Sequence, residues 1–172
     1  NFGYENTVLL PVPLTVSPDF KPSPFAGGDL EIKLQANWLV CKKECIPEEG
    51  EFALKLPLRS TTALHAADFQ AAFDANPKPI VEGTRGAIPD SVAKVSDKGI
   101  DVEVQGLPVA LRGQQLEFFP ETPEIVEPAG AWTQAWKGAV WTAHVPYSGQ
   151  RSTSPGVLPV VLVQGNKGWH VD

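Results

Sequence analysis

Methionine is absent from the chain, and cysteine occurs only twice, at Cys41 and Cys45. The first absence removes any thioether ligand for a soft metal. No run of about 18 apolar residues occurs, so nothing in the sequence reads as a bilayer span. The start, Asn1-Phe2-Gly3-Tyr4, lacks a basic stretch followed by an apolar one, the pattern of a secretory signal. Basic residues are outnumbered 14 to 20, for a net charge of −6, and they are scattered along the chain. That balance argues against a nucleic-acid partner. The three histidines, His65, His144 and His170, lie far apart and make no ligand spacing. Ser148, Ser152 and Ser154 fall in a turn-rich stretch with no nucleophile elbow around them.

Hydrophobic residues make up 42% of the 172 positions and charged ones 20%, enough apolar material to build a core without cross-links. The 17 prolines and 15 glycines punctuate short alternating runs, which predicts an all-β sandwich with few helices. Strands are expected over Thr7–Val16, Asp29–Cys41, Glu51–Leu58, Ile100–Gln105, Ala139–Val145 and Gly156–Val163. In the second run Leu30, Ile32 and Leu34 share one face and the charges take the other. Pro11 and Pro13, two apart, make Thr7–Val16 an edge strand. Phe69, Ala72 and Phe73 recur at helical spacing before Pro77 and Pro79, so one short helix is expected over His65–Ala75. A connection near residues 78–88 then divides the chain into units 1–80 and 81–172. Trp132, Trp136, Trp141 and Trp169, all in the second unit, read as core and rim packing.

The chemistry is concentrated in Trp38-Leu39-Val40-Cys41-Lys42-Lys43-Glu44-Cys45-Ile46-Pro47. An extended segment would hold the two cysteine Cα atoms about 13 Å apart, whereas a disulfide needs about 4.4 to 6.8 Å. Bridging therefore requires Lys42, Lys43 and Glu44 to turn, and Pro47 favours a hairpin-like loop over a helical turn. Closing so short a loop stabilises a fold by roughly 2 kcal/mol in the chain-entropy model, little for a chain with this apolar content. Lys42 and Lys43 favour a thiolate at Cys41, and Glu44 opposes one at Cys45. Three roles stay open on these residues: redox exchange, a static bridge, and a metal-binding pair.

Phe2-Gly3-Tyr4-Glu5-Asn6-Thr7-Val8-Leu9-Leu10-Pro11-Val12 and Trp38-Leu39-Val40-Cys41 with Cys45-Ile46-Pro47-Glu48 resemble two segments of the periplasmic N-terminal domain of the DsbD family, ScsB-like branch. These are its loop and strand before the redox site, and the redox site itself. A weaker likeness runs through Phe69–Pro79 and Leu116-Glu117-Phe118-Phe119-Pro120 to Pro155-Gly156-Val157-Leu158. The resemblance implies two immunoglobulin-like β-sandwich units with the short helix between them, the first without the strands that the family carries upstream. It implies a soluble periplasmic part of an inner-membrane protein, taking electrons from a transmembrane redox domain of its parent and passing them to thioredoxin-fold proteins. No cofactor is implied. Cys45 would form the mixed disulfide and Cys41 resolve it, under a cap loop containing Phe2, Tyr4 and Glu5. The family separates its cysteines by five residues in its best-known branch, against three here. The alternatives are an immunoglobulin-like binding module with a structural disulfide, and a Cu(I)-binding dithiol, since ScsB-like proteins are associated with copper tolerance.

Overall fold

The computed structural model describes residues 3–21, 29–58, 63–80, 91–96, 98–127, 130–151 and 155–172. The chain is all-β with one short helix, its sheets open, mostly antiparallel and sandwich-like. It divides into two compact units, residues 11–66 on one side and residues 1–10 with 67–172 on the other. The connection expected at 78–88 falls largely on residues outside the described set, and the helix groups with the C-terminal strands.

In the unit of residues 11–66, strands β1 (Asp29–Cys41) and β2 (Cys45–Pro57) pair antiparallel along their whole length, from Asp29 with Pro57 to Cys41 with Cys45. The unbroken register assigns every side chain to a face. Leu30, Ile32, Leu34, Trp38 and Val40 share one face with Ile46, Phe52, Leu54 and Leu56; Glu48 is the only charge among them. Asp29, Glu31, Lys33, Gln35 and Asn37 lie on the other face with Glu49, Glu51 and Lys55. Within the described residues no side chain of this unit is fully buried.

The described residues from 67 onward build two four-stranded sheets. One is ordered β4 (Val92–Val95), β5 (Gly99–Val104), β8 (Val140–Pro146), β7 (Thr133–Lys137). The other is ordered β3 (Lys78–Pro79), β10 (Lys167–Val171), β9 (Val160–Gln164), β6 (Glu117–Pro120), with only β3 and β10 parallel. Alternation places Ile100, Val102 and Val104 of β5, Trp141, Ala143 and Val145 of β8, and Val160 and Leu162 of β9 in one core with Phe118 and Val171. Trp141 and Leu162 are both 0% exposed. Trp132, Trp136 and Trp169 pack against that core, as the packing reading expects. The Gln134 side chain ties the sheet to the loop before β6: its Oε1 accepts from the Leu116 amide and from Trp141 Nε1, and its Nε2 donates to the Leu116 carbonyl.

Helix α1 (Ala66–Ala75) agrees with expectation, with Asp68 in its first turn and a Gln70–Asp74 side-chain hydrogen bond. Two strand expectations need correction. Thr7–Val16 forms no strand, because Pro11 and Pro13 remove donors and no described strand lies alongside to accept it. The last run becomes a strand only from Val160, after Pro155 and Pro159. Conversely, β2 starts six residues before the expected Glu51, at Cys45.

Candidate functional site

The loop Lys42-Lys43-Glu44 closes the hairpin, with the Lys42 amide donating to the Glu44 carbonyl at 3.2 Å. This turn brings Cys41 and Cys45 opposite each other at a Cα separation of 4.1 Å, and they form a disulfide. Antiparallel pairs alternate between hydrogen-bonded and non-hydrogen-bonded. The Lys42–Glu44 bond makes that pair hydrogen-bonded, so the Cys41–Cys45 pair is of the other kind, in which the two Cα atoms come closest. The same parity makes Leu39–Pro47 and Asp29–Pro57 non-hydrogen-bonded pairs. Both prolines thus stand where the ladder needs no donor from them.

Parity also fixes the side of the ribbon on which the sulfurs lie. Cys41 and Cys45 project on the face of Lys33, Asn37 and Glu51, opposite the apolar face. Both cysteines and all three loop residues are exposed. Leu39 and Pro47 form the next pair on the disulfide's own face, and Leu39 is 61% exposed. An open cleft of about 450 Å³ is lined by Asn37, Trp38, Leu39, Pro47, Glu48 and Glu49, one pair further along. On the other face the rings of Trp38 and Phe52 meet at 6.4 Å between centroids, over Gly50. A Cβ at Gly50 would lie 2.9 Å from the tip of the Phe52 ring and 3.1 Å from Trp38, so the glycine makes room for both aromatics.

Of the residues singled out from the sequence, the structure brings Cys41 and Cys45 together. Tyr4, 74% exposed, and the exposed Glu5 belong to the other unit, and Phe2 lies outside the described residues. Sequence reasoning missed the length of β2 and the placement of Trp38, Gly50 and Phe52. The signal was available: once Cys41 faces Cys45, every pair sums to the same number, and the large apolar residues of both strands other than Leu39 fall on even positions. It also missed that His144 Nδ1 lies 2.7 Å from Asp101 and His170 Nε2 lies 2.6 Å from Glu121, pairings between distant parts of the chain. Among the described residues no group of three or more histidine, cysteine or carboxylate side chains is placed to hold a metal ion, and no helix is long and apolar enough to cross a membrane. No protein-family model, curated protein or solved structure matches this chain.

Proposed function

We propose that this chain is a periplasmic thiol–disulfide exchange module of the DsbD type, relaying electrons through Cys41 and Cys45. The observation that carries this reading is the location of the disulfide, at the exposed tip of a ribbon and on its polar face. A bond there is open to an incoming thiolate, and exchange requires such access. Its contribution to the fold is small, because the loop it closes has three residues and the β1–β2 ladder already brings its ends together.

In the accepting step a thiolate of a partner dithiol attacks Sγ of Cys45, the Cys41–Cys45 bond breaks, and Cys41 leaves as a thiolate that takes up a proton. The second thiolate of the partner attacks the partner's own sulfur in the mixed disulfide and releases Cys45. Two electrons have then passed to this chain and the partner is left as a disulfide. In the delivering step the reduced pair does the reverse to the disulfide of a thioredoxin-fold protein, Cys45 attacking and Cys41 resolving. The transmembrane domain of the parent protein is the electron source in this reading, and Phe2, Tyr4 and Glu5 match the family's cap loop by resemblance alone. The roles of the two cysteines, the cap, the partners, the compartment and the immunoglobulin-like architecture rest on the sequence resemblance.

Redox titration of the folded chain tests the proposal. An equilibrium potential between about −180 and −270 mV, the range of exchange proteins, is expected. A value well below about −300 mV would sink the relay and favour a static clamp. The clamp reading has one observation in its favour: none of the described residues of the hairpin unit is fully buried, so a covalent tie at its tip has something to hold.

A further inference from the structure

The two edges of the β1–β2 ribbon are not equivalent. In a two-stranded ribbon, residues of the non-hydrogen-bonded pairs direct their N–H and C=O groups outward, away from the neighbouring strand. Here these are the odd-numbered positions. Along β2 they include Pro47 and Pro57, so the outer edge of β2 has no donor at the first position beyond Cys45 or at its far end. Along β1 they are Asp29, Glu31, Lys33, Gln35, Asn37, Leu39 and Cys41, with no proline among them. Among the described residues the sheet has only these two strands. The unblocked edge of β1 therefore runs without interruption up to one sulfur of the disulfide.

We infer that an exchange partner docks by laying the extended segment that carries its own cysteine along the outer edge of β1, as a third strand, and not along β2. This rests on the relay reading, specifies how its partner is recognised, and changes one part of it. A thiolate held on the β1 edge stands beside Cys41, in line to displace Cys45, so edge docking gives the mixed disulfide to Cys41 and not, as the resemblance implies, to Cys45. Backbone hydrogen bonds to Leu39 and Asn37 hold the segment, tolerate many side chains, and bring the incoming sulfur level with the Cys41–Cys45 rung. Leu39 and Pro47 offer apolar contact on the same face as the sulfurs.

The test uses the full 172-residue chain in its oxidised form. The probe is a short blocked peptide of alternating threonine and valine with one cysteine, with glutathione as the reference thiol. The peptide thiolate opens the protein disulfide, forming a peptide–protein disulfide and releasing one protein thiolate, and the readout is its rate divided by that of glutathione. Asn37→Pro removes one outward N–H of β1 without touching a β1–β2 hydrogen bond, and Glu49→Pro does the same on β2. The ratio is expected to fall about fivefold in Asn37→Pro, the effect of one ordinary hydrogen bond, and to stay unchanged in Glu49→Pro. If Asn37→Pro fails to fold, peptides N-methylated at alternate positions decide the matter on the unaltered chain: methylation of one alternating set must slow the reaction and methylation of the other must not. Equal ratios in both proline variants and the parent, a larger loss in Glu49→Pro, or indifference to the methylated set would each overturn edge docking while leaving the relay standing. If neither thiol opens the bond, the relay fails, and edge docking with it.

Discussion

Reduction of Cys41–Cys45 is expected to loosen the β1–β2 ribbon and leave the sandwich core as it was. The bond closes a loop with three residues between its ends, for which chain entropy gives roughly 2 kcal/mol. That figure is an upper bound in this setting, because the strands are also held by a ladder that pairs all 13 residues of β1. The core around Trp141 and Leu162 contains no cysteine and draws on both four-stranded sheets of its own unit. Hydrogen exchange on the oxidised and the dithiol forms resolves the two regions. Amides of β1 and β2 should lose at most about 30-fold in protection, the factor that corresponds to 2 kcal/mol, and most of it near the tip. Amides of β5, β8 and β9 should exchange at unchanged rates. An equal loss of protection in β5, β8 and β9 would refute the reasoning, since the tip bond would then be supporting the whole fold.

The two cysteines should differ in trapping experiments on a non-reducing gel: the order implied by the resemblance has Cys41→Ser accumulate a stable mixed disulfide with a thioredoxin-fold protein and Cys45→Ser not, whereas attack from the β1 edge gives the opposite pattern. Two glycine-to-alanine changes should separate in cause and size by chemical denaturation. At Gly99 the new Cβ would lie 2.4 Å from the Val145 carbonyl oxygen, a backbone atom of the paired strand, and a loss of about 1–3 kcal/mol or more is expected. At Gly138, with φ +64° in the tight β7–β8 turn and nothing within 4 Å of the new methyl, only the left-handed backbone cost of about 1–2 kcal/mol applies. Gln134→Ala should cost about 1–3 kcal/mol, because it strips partners from the Leu116 amide and from the indole N–H of the fully buried Trp141. A Gln134→Ala chain as stable as the parent would mean that water replaces the amide there.

Alternation made β1 legible to the residue, since Asp29–Trp38 is polar and apolar by turns and the run ends at the cysteine turn, where Pro47 favours a hairpin-like loop. Short β-branched runs marked β5 and β8 within one residue, because their buried positions recur at every second place. The start of β2 was illegible for a definite reason. Cys45-Ile46-Pro47-Glu48-Glu49-Gly50 carries a proline, a glycine and adjacent charges, each of which reads locally as a loop. Tertiary context overrides that signal: Pro47 falls in a non-hydrogen-bonded pair, and Gly50 lies under two aromatic rings. Thr7–Val16 fails in the opposite sense. It alternates like a strand, but a strand exists only with a neighbour to pair with, and local pattern says nothing about the neighbour.

The odd spacing of the cysteine pair carries a further consequence for the site. With three residues between them, Cys41 and Cys45 sit at equivalent positions on facing strands, and both sulfurs fall on the face set by Leu39 and Pro47. That face is the polar one, because the alternation of β1 gives its even positions to Leu30, Ile32, Leu34, Trp38 and Val40. Moving both cysteines one position outward from the loop, in place of Val40 and Ile46, would keep them paired and turn the disulfide to the apolar side, beside Trp38. A bond meant only to clamp the ribbon would lose nothing by that move, since loop-closure entropy rises slightly with the longer loop and does not depend on the face. In this chain the sulfurs lie on the face shared with Lys33, Asn37 and Glu51, at the tip of the ribbon, where Cys41 and Cys45 are both exposed to an attacking thiolate.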